Sequence, residues 1–179
     1  EDQARNNAVT KSGDATLNTS VKKFGTSSLY LDGTGDYLTI PPSDFDFEDD
    51  AFTIEAWIYL TSHSASGTTI IGRWNGDIGD GKGFIFTVVS GYLNFTWSSN
   101  GGDNNSTTSS GTISLNTWTH VAVTRQGDVG RLFINGTHDG TVDFSTGPSG
   151  DAIYDLHGSS VDVLIGARNG GSHSLYTGY

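Results

Sequence analysis

Cysteine and methionine are both absent from this chain of 179 residues. Without thiols the chain has no disulfide framework, no thiolate metal site, no iron–sulfur cluster and no cysteine nucleophile. No apolar run approaches the roughly 18 residues that a membrane-spanning helix needs. We therefore expect no thiol chemistry and no membrane insertion.

Basic residues are scarce as well. Lys and Arg together number 9 against 20 Asp and Glu, so the formal net charge is −11, and Lys22-Lys23 is the one place where two basic residues adjoin. Binding to a phosphate backbone depends on neutralising phosphates with Lys and Arg. Nucleic acid is therefore not expected as a partner.

Small and turn-forming residues are abundant instead, with 25 Gly, 21 Ser and 22 Thr. Strong helix formers are few, and β-branched residues are common. Four Trp, seven Tyr and nine Phe occur in short blocks of alternating polarity that are separated by Gly, Asn, Asp and Ser clusters. This pattern predicts an all-β sandwich or barrel of about a dozen short strands, and the length suits a single core.

The clearest predicted strand covers residues 52–60. Alternation places Phe52, Ile54 and Ile58 on one face, which we expect to be core, and Glu55 and Trp57 on the other. That second face is either a half-buried layer or the floor of a groove. Two hairpin turns are predicted at positions 90–91 and 135–136, where Ser-Gly and Asn-Gly supply positive φ angles. The polar stretch 100–110 is expected to be a mobile loop.

Four segments together resemble laminin-G-like domains of the concanavalin A-like lectin/glucanase superfamily. They are FGTSSLYLDGTGDYL at 24–38, FTIEAWIY at 52–59, NTWTHVAV at 116–123 and LFING at 132–136. The resemblance implies a jelly-roll sandwich of two antiparallel sheets with ligands on a concave face or its loop rim. Domains with these sequence motifs look like those in bacteriophage tail fibres, other virion structural proteins and secreted bacterial adhesins.

The resemblance also implies a domain organisation. Residues 1–23 are expected to be an N-terminal extension or edge strand, and residues 24–179 the sandwich. In the family a final acidic strand normally follows a segment like 175–179 and pairs beside the N-terminal strand. We therefore expect 24–179 to lack that last strand, either because the chain is a fragment of a longer one or because the strand comes from elsewhere.

No catalytic residue is predicted. Glycoside hydrolases of the superfamily place paired acids at alternate positions of one strand, as a retaining mechanism requires. Here Glu55 is followed by Trp57 and Tyr59 where the partner acids would stand. The five histidines lie in no catalytic signature. We expect a protein that is not an enzyme.

Calcium is the one cofactor that the sequence favours. The segment NGDIGDG at 75–81 offers two carboxylates, Asp77 and Asp80, which are the hard ligands that Ca²⁺ prefers. Resemblance to the pentraxin relatives adds a second loop at 165–170, where Asn169 is a match and Arg168 replaces an acid. The alternative is that both aspartates are turn residues. The resemblance also allows a structural calcium near the turn at Asp32.

For sugar recognition a site needs flat apolar faces with polar rims. Trp74, beside Arg73 and Asn75 in a Gly-rich segment, is the ring expected to face solvent, and Trp97 is the second. These four residues are the predicted ligand site. Trp57 and Trp118 stand in mid-strand, so they are expected to pack in the core.

The function expected from these observations is non-catalytic recognition outside a cell or on a virion surface, with a cell-surface carbohydrate or the host-cell surface as partner. Two alternatives stay open. One is a purely structural fibre, spike or capsid-decoration domain, and the other is an accessory domain of a secreted polysaccharide-degrading enzyme. Homo-oligomers or larger assemblies through flanking domains are compatible with all three.

Overall fold

The computed structural model describes residues 9–42, 45–76, 81–102, 104–145 and 161–179. These residues include strands and a short 3-10 turn, Asn169–Gly171. The strands are β1 (Thr10–Ser12), β2 (Thr16–Asn18), β3 (Ser28–Asp32), β4 (Tyr37–Ile40), β5 (Phe52–Ile58), β6 (Thr68–Trp74), β7 (Lys82–Val89), β8 (Tyr92–Trp97), β9 (Asn105–Thr112), β10 (Thr119–Gln126), β11 (Val129–Ile134), β12 (Thr137–Asp143), β13 (Val163–Ile165) and β14 (Thr177–Gly178).

Three antiparallel sheets build the sandwich. One has seven strands in the order β1-β4-β13-β6-β7-β8-β9, another has four in the order β12-β11-β10-β5, and the third has three in the order β14-β3-β2. The predicted all-β class and the antiparallel jelly-roll sandwich are therefore confirmed.

The core lies between the seven-stranded and four-stranded sheets and is rich in rings. Phe84, Phe86 and Phe95 extend from β7 and β8 and are fully buried. On the opposite side, Phe52 of β5 stacks on Phe47 with 4.5 Å between ring centroids. The alternation predicted for β5 is confirmed, because Phe52 and Ile58 are buried while Thr53, Glu55 and Trp57 face outward. Burial of these rings removes a large apolar area from water, which stabilises the fold.

Both predicted hairpin turns are confirmed. Ser90 and Gly91 have φ of 50° and 91°, and Asn135 and Gly136 have φ of 50° and 77°. Two consecutive positive φ angles define the type I′ turn, whose twist matches that of the strands it joins. Gly at the second position takes this conformation without steric cost.

The expectation of a mobile loop at 100–110 is wrong for most of that stretch. Asn105–Thr112 form β9, which pairs with β8 at the edge of the seven-stranded sheet. Its Thr and Ser side chains alternate between a half-buried and an exposed face. An edge strand of this kind needs no apolar anchor of its own, because its backbone hydrogen bonds to β8 hold it.

The two short N-terminal strands extend different sheets. β1 pairs with β4 and β2 pairs with β3, while Ala15 between them is buried in the core. The boundary between 1–23 and 24–179 stays a prediction.

A seam joins the three-stranded sheet to the end of β5. The Tyr59 amide donates to the Tyr179 carbonyl at 2.7 Å and the Tyr179 amide donates back at 2.9 Å. Beyond this pair an apolar groove of about 170 Å³ separates β3 from β5. Tyr176 lies beneath the seam, where its hydroxyl accepts from the Tyr59 amide at 3.2 Å and donates to the Tyr179 carbonyl at 2.8 Å. Burial raises the pKa of Tyr176, and the smaller effect of the Tyr59 hydrogen bond lowers it.

Candidate functional site

The exposure of the four tryptophans is the reverse of what the sequence predicted. Trp97 is 2% exposed and Trp74 is 7% exposed, whereas Trp57 is 38% exposed and Trp118 is half-buried. Trp97 occupies a core-facing position of β8, with its ring 4.9 Å from that of Phe144. Trp57 shares the outward face of β5 with Glu55, so strand alternation outweighs the tendency of tryptophan to be buried.

Arg73, predicted as a ligand residue, does not face solvent. Its side chain is 4% exposed, and Nη1 donates to the Asp46 carboxylate in an ion pair. The Arg73 Nε also donates to the Val161 carbonyl at 3.4 Å. β6 directs Arg73 to the same side as the buried Phe84, its register partner on β7. Its surroundings are those of a structural residue that holds two segments onto the sheet.

Trp74 and Asn75 do line a cavity, which has a volume of about 230 Å³. It lies at the ends of β4, β6 and β13 and brings together an indole, an amide, two hydroxyls and a carboxylate. Its principal lining residues are Tyr37, Thr39, Trp74, Asn75, Asp162 and Gly170. We call this the Trp74 cavity. It is smaller than the roughly 300–1,000 Å³ of drug-sized pockets.

Loop contacts fix the shape of the Trp74 cavity. Asn169 accepts a hydrogen bond from the Gly76 amide through Oδ1 at 3.0 Å, and the Tyr37 hydroxyl lies 3.5 Å from the Gly170 carbonyl. The Lys82 Nζ lies 5.9 Å from the centre of the Trp74 ring. The segment after β6 and the turn after β13 therefore meet here, as the resemblance implied.

Of the three predicted calcium ligands, the structure describes Asn169. Asp77 and Asp80 lie outside the described residues, and Asn169 uses its side-chain oxygen on Gly76. Calcium in the 75–80 loop stays a prediction.

A second acidic group lies where the resemblance allows a structural calcium. Carboxylate oxygens of Asp14, Asp32 and Asp36 lie within 4.8 Å of one another. Asp36 is buried and accepts from the Asp14 amide at 2.8 Å and the Asp32 amide at 3.2 Å. An ionised carboxylate has about four acceptor positions, so these residues fit a hard cation and keep oxygen lone pairs for it. Such an ion would tie the N-terminal segment to β3.

Tyr37, Thr39 and Asp162 are cavity residues that the sequence did not identify, whereas Gly170 belongs to the 165–170 loop that the resemblance singled out. The first three come from β4 and from the region around β13, which pair only in the folded sheet. Tyr37 belongs to a motif that the resemblance used for the fold, but nothing in that motif indicates a ligand.

Chemically, the Trp74 cavity offers hydrogen-bond donors and acceptors beside two aromatic residues, Trp74 and Tyr37. Glu55 and His120, which lie 3.3 Å apart, are both on the four-stranded sheet and do not line this cavity. The cavity thus has the character of a binding site, with groups that orient a polar ligand.

Taken together, these features define an antiparallel β-sandwich with a polar cavity at one end of its larger sheet. A family model, Laminin_G_3, described as concanavalin A-like lectin/glucanases superfamily, matches residues 32–179. The chain therefore belongs to this family, and the resemblance drawn from the sequence is confirmed.

Solved structures with the same fold include three clostridial binding domains. For the binding domain of Paraclostridial Mosquitocidal Protein 1 the TM-score is 0.71 at 15% identity, and the aligned region covers 90% of this chain and 40% of that solved chain. The receptor binding domain of botulinum neurotoxin C/D mosaic serotype has a TM-score of 0.67, with 17% identity and coverage of 90% and 39%. The botulinum neurotoxin serotype G binding domain has a TM-score of 0.67, with 14% identity and coverage of 98% and 42%.

The chain spans about two fifths of the length of these solved chains. At such identities the likeness concerns the fold. No curated protein matches the chain significantly. Within the described ranges no helix has the length and apolar character needed to cross a membrane.

Proposed function

We propose that this chain is a non-catalytic recognition module, displayed outside a cell or on a virion, that binds a cell-surface carbohydrate in the Trp74 cavity. The observation that carries the proposal is the convergence of two aromatic residues, Trp74 and Tyr37, with an amide, hydroxyls and the exposed carboxylate of Asp162. A sugar ring offers an apolar face and a rim of hydroxyls, and these groups complement both.

Two further findings support this function. The family belongs to a superfamily that includes lectins. The solved structures with this fold are described as binding or receptor binding domains. Tyr37 and Thr39 lie on β4, and the Asn75 backbone amide donates to the Gly81 carbonyl at 2.7 Å, which favours precise orientation of a ligand over adaptation to many.

A glycan array, probed with and without a calcium chelator, tests the proposal. We expect the wild-type chain to bind a defined set of glycans, and Asp162→Asn and Tyr37→Phe each to weaken binding about tenfold, as loss of one hydrogen bond to a ligand does. Both changes keep side-chain size, so the fold should persist.

The matched controls are Asp128→Asn and Tyr92→Phe, which alter exposed residues outside the cavity and should leave binding unchanged. Absence of binding to any glycan under both conditions would favour the structural fibre, spike or capsid-decoration role. Hydrolysis of a polysaccharide by the chain, lost in Glu55→Gln, would instead make it an enzyme.

A further inference from the structure

The outer face of the four-stranded sheet carries a group of rings that the proposed function does not use. Trp57 is 38% exposed and Phe24 is 65% exposed, and their ring centroids are 5.6 Å apart at an interplanar angle of 82°. The His120 ring is 5.3 Å from Trp57 on the neighbouring strand β10. With Lys23, these residues form what we call the Trp57 patch.

Lys23 gives this patch a positive charge. Its Nζ lies 4.2 Å from the centre of the Trp57 ring and 5.6 Å from that of Phe24. A cation at such distances is attracted by the ring quadrupole. The ammonium is therefore held above the rings, which also keeps it beside any ligand that packs on Phe24.

The segment that carries Lys23 and Phe24 is held by its own hydrogen bonds. The Asn18 side chain accepts from the amides of Ser20 and Val21, each at 2.8 Å, and the Ser28 hydroxyl donates to the Val21 carbonyl at 2.5 Å. These contacts fix both ends of the segment close to β2 and β3. Phe24 is thus presented over β5 while most of its ring stays in water.

The charge at the patch contrasts with that of the whole chain. The net charge is −11, yet the Lys23 ammonium lies over these exposed rings. A cation beside flat apolar surface complements a ligand that has an apolar face and a negative group. On the other side of Trp57, His120 Nε2 and Glu55 Oε2 are 3.3 Å apart, and the 64% exposed Glu55 side chain supplies an acceptor for hydroxyl groups.

We propose that the Trp57 patch is a second binding site, specific for an acidic saccharide. The apolar face of the sugar packs on Phe24 beside the edge of Trp57, its carboxylate or sulfate pairs with the Lys23 ammonium, and its hydroxyls reach Glu55 and His120. The site lies on the opposite sheet from the Trp74 cavity and is independent of it. It gives an acidic protein a way to hold an acidic polysaccharide through one local cation.

Isothermal titration of the full chain with three oligosaccharides tests this site. The probes are an oligogalacturonate, its methyl ester of the same length, and a sulfated galactan oligosaccharide. We expect the acid to bind at least tenfold more tightly than the uncharged ester, and added salt to weaken the acid but not the ester, because salt screens exposed charges. Comparison of the acid with the sulfated probe shows which anionic group is preferred.

Lys23→Gln should reduce the affinity for the acid to that of the ester, and Phe24→Ala should weaken both probes about tenfold. Matched controls are Lys11→Gln on β1 and Tyr92→Ala, another exposed ring; neither should change binding. Equal affinity for acid and ester, no effect of Lys23→Gln, or no binding of either anionic probe would overturn the proposal. Asp162→Asn, which tests the Trp74 cavity, should leave these titrations unchanged, so failure of one site is distinguishable from failure of the other.

Discussion

Arg73 and Asp46 form an ion pair at one end of the sandwich, in which Nη1 of Arg73 donates to Oδ1 of Asp46. The Arg73 side chain is almost fully buried and that of Asp46 is 23% exposed. The pair joins β6 to the segment that carries Phe45 and Phe47, whose rings pack against the core. A residue that sequence reasoning assigned to ligand binding therefore holds the end of the fold in place.

Asp46→Ala should destabilise the protein. Removing Asp46 takes away its ion pair and charge-assisted hydrogen bond with the almost fully buried Arg73, so we expect the free energy of unfolding to fall by about 2 kcal/mol. Urea denaturation followed by tryptophan fluorescence measures the change. Asp50→Ala, at an exposed position of the same segment, should cost less than about 0.5 kcal/mol. Equal costs for the two variants would show that the pair contributes little.

Ser109 of β9 tests whether the predicted loop is truly a strand. Its buried hydroxyl accepts from the Leu93 amide at 2.9 Å, at a register shift between β8 and β9, and donates to the Gly111 carbonyl at 2.8 Å. Ser109→Ala should lower the free energy of unfolding by about 1–2 kcal/mol, because it leaves a buried amide unsatisfied. The neighbouring exposed Ser110→Ala is the control. If both variants unfold like the wild type, β9 does not form this contact.

Tyr176 should make stability sensitive to alkaline pH. Burial is the larger influence on its pKa, which lies above its usual value of 10.0 in the folded protein. The unfolded chain then loses this proton first as the pH rises. The contribution is fully present below about pH 10 and is lost above it, by up to about 1.4 kcal/mol per pH unit, until the folded-state pKa is reached.

Tyr176→Phe should reduce that loss between pH 9.5 and 11, measured by urea denaturation at each pH. At pH 8 the variant should be less stable by about 1 kcal/mol, since its hydrogen bonds to Tyr59 and Tyr179 are gone. Tyr92→Phe, at a ring that is 40% exposed, should follow the wild-type pH profile. A wild-type slope in Tyr176→Phe would contradict the assignment.

Calcium should raise the thermal unfolding temperature if Asp14, Asp32 and Asp36 hold the ion that the family implies. A ligand that binds only the folded state at 100 times its Kd stabilises it by about 2.7 kcal/mol. We expect the midpoint to rise with added Ca²⁺ and to fall again with EDTA, and Asp32→Asn to abolish the response. Asp50→Asn should keep it. No shift in the wild type would count against calcium at these three residues.

The sequence predicted the fold well, because its signals are local. Alternation along β5 and the positive-φ pairs at 90–91 and 135–136 depend on neighbouring residues. Most of β9 was not predicted, because its own residues have the composition of a polar loop. It becomes a strand by pairing with β8.

The candidate site was predicted only in part. Trp74 and Asn75 do line a cavity, but Arg73 and Trp97 are buried, and Tyr37 and Asp162 were not identified. The cavity residues are far apart in the chain and meet only when β4, β6 and β13 pair. The alternation in β5 did indicate an exposed Trp57. The prediction instead followed the usual burial of tryptophan, and it was wrong.

Composition and local pattern alone thus determined that this is an acidic, thiol-free all-β sandwich or barrel, because strand periodicity and turn chemistry act over a few residues. The concanavalin A-like type followed from the resemblance of four sequence segments to that superfamily. Tertiary structure decided which rings face water, which charges pair and which polar groups share a cavity. Those outcomes depend on register between distant strands, where a shift of one residue exchanges the buried and exposed faces.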